Sequence, residues 1–194
     1  RKYNVKVLVA GYNHRLGCNG AYDPQLMDRE AEMAGLTIIR VPEYVSDAGE
    51  HISSTKIRAA LTAGSMETAN RWLGYPYSLH GVVVLGNRMG RTLGFPTANM
   101  QLYEPLKQLP ADGVYKVEAE VNGRWYRGMM NIGVRPTIAN NLERIIETHI
   151  FDFEDNIYGL DIRVRILKFH RQEIAFPSLD SLKEQLNKDK EALL

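Results

Sequence analysis

The segment Gly86-Asn87-Arg88-Met89-Gly90-Arg91-Thr92-Leu93-Gly94-Phe95-Pro96-Thr97-Ala98-Asn99 concentrates residue types that handle phosphate. Three glycines at four-residue spacing permit unusual backbone angles and close approach of main-chain N–H groups to an anion. The stretch is neither a Walker loop nor a dinucleotide fingerprint, because the lysine-serine ending and the G-x-G-x-x-G spacing are both lacking. Pro96 presets an extended exit, so Thr97 and Asn99 are expected on one side of the chain and Ala98 on the other. A hydroxyl beside an amide oxygen is a neutral oxygen pair. Such a pair suits Mg²⁺, which keeps several waters and takes most of its charge compensation from substrate phosphates. From spacing alone the plainer reading is a glycine-rich hairpin with a Thr-Asn turn. Arg88 and Arg91 flank the glycines, either as phosphate contacts or as solvated loop charges.

Two kinds of element must hold these residues. In the first half, Val5 to Ala10 reads as a strand, followed by a Gly/Asn-rich loop from Gly11 to Gly20. Asp23-Pro24 looks like an N-cap with proline at the first helical position, and Gly35 like the stop. Leu36 to Val41 is a second strand, so strand, helix and strand predict a parallel βαβ unit. Ser53 or Ser54 caps a short helix ending before Gly64, and Ser65 caps another ending near Gly74. Gly74-Tyr75-Pro76 is the expected boundary, giving domains over residues 1–76 and 77–194. Beyond it the pattern is antiparallel. Val114 to Val121 alternates, Asn122-Gly123 is a two-residue turn signal, and Arg124 to Ile132 returns. Ile145 to Phe151 and Ile162 to Ile166 add strands, the latter with Ile162, Val164 and Ile166 on one face and Asp161, Arg163 and Arg165 on the other. Ser178 caps a closing helix with Leu179, Leu182 and Leu186 on one face. Several strands and one terminal helix predict a small closed barrel.

Gly90 to Asn99 resembles the G-x-x-x-G-x-P-T-A-N signature of riboflavin kinases at every fixed position. Met130-Asn131-Ile132-Gly133-Val134-Arg135-Pro136-Thr137 resembles that family's N-I-G-x-x-P-T segment. Glu147-Thr148-His149-Ile150 resembles its E-T-H-I segment, with Tyr158-Gly159 following. The resemblance covers residues 77 to 194. It implies a six-stranded antiparallel barrel with a C-terminal helix, ATP and riboflavin as substrates, and FMN and ADP as products. It also implies Thr97 and Asn99 at Mg–ATP, with Mg²⁺ as cofactor, and Glu147 as the general base on the riboflavin hydroxyl. Phosphoryl transfer needs positioning and charge neutralisation more than strong basicity, so a carboxylate in reach of the hydroxyl suffices. Taken without the resemblance, Glu147 reads as the cross-strand ion-pair partner of an arginine such as Arg163 or Arg165. Gly86, Arg88, Gly90, Arg91, Gly94 and Pro96 are then nucleotide-binding, while Asn131, Arg135 and Arg171 contact flavin or nucleotide. Phe151, Phe153, Tyr158 and Phe169 either cover the flavin ring or fill the core. Arg171, Glu173 and Phe176, just before the last helix, are a candidate lid. His149 shares a strand face with Glu147 and reads as a structural histidine, since the five histidines show no metal-ligand spacing.

Ile52-Ser53-Ser54-Thr55-Lys56-Ile57-Arg58 resembles the I-S-S-T-x-I-R motif of bacterial FMN adenylyltransferase domains, which precede the kinase in bifunctional FAD synthetases. Gly11 to Gly17 resembles that family's G-Y-D-H-R-F-G segment, with Asn13 replacing the acid and Leu16 the phenylalanine. A helix N-terminus with hydroxyls and Arg58 one turn on would favour a phosphate, and equally reads as a plain N-cap. The candidate remnant site is therefore Asn13, His14, Arg15, Ser53, Ser54, Thr55 and Arg58. The family's H-x-G-H motif is not found in residues 1 to 77. The chain is thus expected to carry the second part of a parallel-sheet nucleotidyltransferase domain and not to complete FAD synthesis. Arg1 is not a start methionine, in keeping with a chain that begins inside a domain.

Composition narrows the class. At 194 residues, with 44% hydrophobic and 24% charged residues, the chain is globular rather than disordered. A net charge of +1 with scattered basic residues argues against a nucleic-acid partner. The longest purely aliphatic stretch, Val82 to Leu85, is too short to cross a bilayer. Cys18 stands alone, so a reducing cytosol is the expected setting. Small-molecule substrates are the expected partners, with no obligate protein partner. The competing reading from another class is a non-catalytic flavin-binding barrel, which needs the aromatics but not Thr97, Asn99 and Glu147 together.

Overall fold

The protein is described by a computed structural model covering residues 4–15, 24–87, 89–136 and 142–194. The Asp23 cap, Leu16, Gly17, Arg88, Thr137 and the Arg135 side chain lie outside the described residues. The chain divides into two compact units, 1–53 and 54–194.

In the front unit, β1 (Val7–Gly11), α1 (Pro24–Met33) and β2 (Thr37–Val41) form the expected strand-helix-strand. β1 and β2 pair in parallel, with Val9 opposite Ile39. Met27 and Ala31 are the buried side of α1, and Gly35 turns the chain at φ 70°. Arg40 on β2 ties the three elements together. Its Nη2 donates to Asp28 Oδ1 at 2.6 Å and to the Pro24 carbonyl at 2.7 Å, and its Nη1 to the Gly11 carbonyl at 3.3 Å.

The second unit begins with α2 (Ser54–Thr62) and α3 (Met66–Leu73). Both helices belong with the strands that follow. Ala60, Leu61, Met66 and Ala69 share one buried cluster with Leu79, Val117, Val164 and Ile166. Asn70 Nδ2 donates to the Ile166 carbonyl at 2.8 Å, and Asn70 Oδ1 accepts from the Tyr77 N–H at 2.7 Å. The compact division therefore falls before Ser54 rather than at Gly74-Tyr75-Pro76. The residue pattern switches from helix to strand at Gly74, but burial of the helix faces decides which unit owns the helices. Gly74 closes α3 at φ 79°, as expected of a C-cap. Ser65 stands at the N-cap without a side-chain hydrogen bond, so the expected cap is positional only.

Six strands close into an antiparallel barrel in the order β3-β4-β7-β6-β5-β8. They are β3 (Tyr77–Val84), β4 (Ala98–Leu102), β5 (Gly113–Val121), β6 (Arg124–Pro136), β7 (Leu142–Ile150) and β8 (Asp161–Arg171). Asn122 and Gly123 take φ of 51° and 76°, the two left-handed positions of a tight hairpin turn. Ile162, Val164 and Ile166 point into the core while Asp161 and Arg163 face out, as alternation requires. β3 and β4 escape a reading by alternation. Gly81 occupies an inward position of β3 with its Cα against Gln101 of β4, which breaks the apolar period. A short helix, α4 (Met89–Thr92), lies in the β3–β4 connection.

The closing helix α5 (Leu179–Leu193) carries a capping box between Ser178 and Ser181. Leu182 and Leu186 are half-buried as expected, but Leu179 is 56% exposed. The buried stripe instead continues through Asp189 and Leu193, one turn and two turns further on. Leu179 is the first residue of the helix.

Candidate active site

Strand pairing assembles the centre of the site. Asn99 on β4 lies opposite Glu147 on β7, and Ala98 lies opposite Thr148. Ala98 is buried, while Thr97 and Asn99 are only partly so, which places the oxygen pair on one side as expected. Thr97 Oγ1 donates to Glu147 Oε2 at 3.5 Å, the long end of a hydrogen bond. A Cβ on Gly86 would stand 2.3 to 2.6 Å from the amide of Asn99. Glycine here gives Asn99 its room, so two of the three loop glycines serve close packing; only Gly94 takes a positive φ, 83°. The two arginines offered as ion-pair partners of Glu147 are engaged elsewhere. Arg163 pairs with Glu120 at 3.6 Å, Arg165 stacks 3.8 Å above the Trp125 ring, and their strand β8 is not a neighbour of β7.

Two cavities meet at Thr97. One, about 80 Å³, opens at the barrel mouth among Arg91, Pro96, Thr97, Thr148, Phe153 and Tyr158. The other, about 270 Å³, has an apolar wall of Leu93, Phe95, Met129, Phe176, Leu182 and Leu186. Its polar groups include Glu147, Asn131, His149, Arg171 and Glu173, with Gly90 also in the lining. Thr97 lines both. Of the aromatics singled out, Phe153 and Tyr158 wall the smaller cavity. Phe151 is buried, and Phe169 packs edge-on against Tyr115 in the core.

The segment after β8 is a fastened strap. Arg171 Nε donates to Asp189 Oδ1 at 3.0 Å, its Nη2 to Oδ2 at 2.6 Å and its Nη1 to the Gln172 carbonyl at 2.9 Å. Most of the guanidinium is thus committed to the protein, although the residue borders the larger cavity. Asp189 is fully buried and also accepts from Gln185 Nε2 at 2.8 Å, with His170 Nε2 at 3.2 Å. Burial pushes its carboxyl up, but the hydrogen bonds from Arg171 and Gln185 outweigh it and hold the group below the usual carboxylate range. Two residues on, Glu173 Oε1 accepts from Asn131 Nδ2 at 2.9 Å. A Cβ on Gly133 would stand 2.0 Å from the same oxygen. The asparagine and glycine of the N-I-G segment are the seat of this carboxylate. Sequence reading missed Asp189, whose one signal is a charge placed on the apolar stripe of α5.

His149 is structural, as expected. It is 6% exposed, with its Nδ1 2.8 Å from the Pro96 carbonyl and its ring edge-on to Phe95 and Phe151. A carbonyl only accepts, so Nδ1 carries the proton. Burial pushes the imidazole below its ordinary pKa and keeps it neutral. The bond pins the residue before Thr97, and with it the shared wall of the cavities.

Among the described residues no group of three or more His, Cys, Asp or Glu could hold a metal ion. The oxygens of Thr97 and Asn99 fit a hard divalent cation only if phosphates and water complete its shell. Asn13, His14 and Arg15 follow β1 as an exposed turn, with the His14 N–H on the Gly11 carbonyl at 3.1 Å. Ser53 stands before α2, and Ser54, Thr55 and Arg58 lie in its first turns, where Arg58 Nη1 donates to Ser54 Oγ at 3.3 Å. The expected remnant site is therefore divided between the two units.

Comparison with known proteins agrees with this architecture. A relative from Haemophilus influenzae, named bifunctional riboflavin kinase/FMN adenylyltransferase, is 39% identical over 189 residues, covering 97% of this chain and 60% of the relative. One of the same name from Bacillus subtilis is 39% identical over 191 residues, covering 97% and 59%. A crystal structure from Streptococcus pneumoniae, described as a macrolide-efflux protein, superposes with a TM-score of 0.80 at 36% identity, covering 98% of this chain and 60% of that one. Among the described residues of this chain no helix is long and apolar enough to cross a membrane. The chain spans about 60% of the length of these relatives. The riboflavin kinase family model matches residues 73–194, which takes in the whole barrel, both cavities and α5. By that match over more than half its length, the chain belongs to the riboflavin kinase family.

Proposed function

We propose that this chain transfers the γ-phosphate of ATP to the terminal hydroxyl of riboflavin, giving FMN and ADP. The observation that carries the reading is the position of Thr97. It forms the common wall of two cavities and stands 3.5 Å from the carboxylate of Glu147. The larger cavity, apolar with a few polar groups, suits a flat, mostly apolar ring system. The narrower, more polar mouth suits the nucleotide, with Arg91 and Pro96 in its wall. Glu147 borders the flavin cavity, where it would orient the attacking hydroxyl and accept its proton late in transfer. Thr97 and Asn99 would hold Mg²⁺, which when bound would neutralise charge on the phosphates. Asn131 then belongs to the flavin side, while Arg171 acts as a brace for the strap.

In a protein of the relatives' full length, the front unit and α2 would contribute to adenylylation of FMN to FAD, the second activity in the relatives' names. Asn13, His14, Arg15, Ser53, Ser54, Thr55 and Arg58 would face phosphate there. This chain lacks the H-x-G-H motif and would stop at FMN. A reducing cytosol is the setting this reading implies. Incubation with riboflavin, ATP and Mg²⁺, followed by chromatography, tests it directly. FMN without FAD is expected; tight flavin binding with no FMN would instead make the barrel a flavin carrier.

A further inference from the structure

Thr148 holds the single buried side-chain polar atom among the described residues that lacks a hydrogen-bond partner. The residue is 1% exposed on β7, paired across with Ala98 of β4 and Met130 of β6. A buried hydroxyl that makes no hydrogen bond destabilises the fold, and valine would fill the same volume without that cost. Orphaned groups of this kind in a native fold ask for a reason, of which service to a ligand is one. Thr148 lines the barrel-mouth cavity together with Thr97. Strand alternation turns Glu147 and Thr148 to opposite faces, so consecutive residues address the two cavities.

We propose that Thr148 is a nucleotide contact, its hydroxyl donating to an oxygen of the polyphosphate chain. The inference rests on the reading of the barrel mouth as the nucleotide site. The polyphosphate is favoured over the base because Arg91, a cation able to meet its charge, shares the wall of this cavity with Thr148 and Thr97. The base would reach outward to Phe153 and Tyr158. The hydroxyl has under 1 Å² accessible, so the proposed contact requires side chains of the cavity wall to move aside.

Thr148→Val removes the hydroxyl and keeps the shape. The expected result is a melting temperature equal to or above wild type, together with a roughly ten-fold or greater weakening of Mg–ADP binding by calorimetry, the loss of one hydrogen bond to a charged group. KM for ATP should rise in parallel while KM for riboflavin stays unchanged. Thr148→Ser and Thr148→Ala form a second pair, both without the methyl and differing only by the hydroxyl, so Ser should bind Mg–ADP more tightly than Ala. Calorimetry needs no turnover. Thr148-dependent ADP binding in a chain that makes no FMN would sink the kinase reading and leave this one standing. Equal ADP affinity in wild type, the Val variant and both members of the second pair would overturn it, reducing the orphan to a tolerated defect.

Discussion

The barrel and the front unit are both built on strands, yet only one is finished by its own strands. Six antiparallel strands close the barrel, so every strand has two neighbours and no free edge. The front unit has two parallel strands, with Val7, Val9, Ile39 and Val41 between 48 and 61% exposed on one face. Parallel sheets normally bury both faces, and a two-stranded sheet rarely stands alone. The contrast separates two ways of holding a functional residue. Asn99 and Glu147 are set by register within a closed surface, which fixes their spacing, and Thr97 stands one residue before β4. Asn13, His14 and Arg15 ride on an exposed turn after β1. Chemistry should therefore depend on the barrel residues and be indifferent to those of the front turn.

The largest effect is expected at Glu147. Glu147→Gln keeps size and hydrogen bonding but removes the proton acceptor, so turnover should fall by about 10² to 10⁴. Mg–ADP affinity and melting temperature should stay near wild type. A folded variant with near-normal turnover would return Glu147 to an ordinary strand position. Next in size, Thr97→Ala and Asn99→Ala should each weaken Mg–ADP binding by roughly ten-fold, the worth of one contact to a charged group. Unchanged affinity in both would remove the oxygen pair from the nucleotide site.

Acid should loosen the barrel in a way that tracks His149. Its folded pKa lies below the ordinary 6.5 because of burial. As pH falls through about 6.5 the unfolded chain takes up a proton that the folded imidazole refuses, so stability declines. His149→Asn, which offers an N–H toward Pro96 without titrating, should flatten the melting profile between pH 7 and 5. A profile as steep as wild type would place the acid sensitivity elsewhere. The carboxyl of Asp189, held low in the fold, adds stability above its ordinary range that disappears only at lower pH. The smallest effect belongs to the front turn. His14→Ala with Arg15→Ala should leave FMN formation unchanged, and a marked loss there would make the two units one catalytic body.

Legibility followed the same divide between pattern and packing. The β5–β6 hairpin was readable because Asn122-Gly123 must adopt left-handed angles and alternation runs cleanly on both sides. That the two motifs would meet was readable because each is short and keeps its residues together, Asn99 on β4 facing Glu147 on β7. What the pattern hid was decided by contacts far apart in sequence. Gly81 disguised β3, since its role is set by the approach of Gln101. The compact unit reaches back to Ser54, past the start of the family match at residue 73, because Ala60, Leu61, Met66 and Ala69 are buried against the barrel. Arg171 borders the larger cavity, but its ties to Asp189, 18 residues on, could not be read from the sequence. Thr148 stands in the E-T-H-I segment, yet the sequence assigns it no role, because threonine is an ordinary strand former and only its missing partner distinguishes it.

The wall formed by α5 has a consequence for affinity. Leu182 and Leu186 supply part of the apolar lining of the larger cavity, so that cavity is complete only in molecules whose helix is seated. Observed affinity for the ring system is then the intrinsic affinity multiplied by the seated fraction. The buried Asp189–Arg171 pair is one latch on that fraction, and Glu173 on Asn131 is another. Occupancy of the cavity feeds back on the same equilibrium, so ligand should slow amide exchange along α5 even where it touches no backbone.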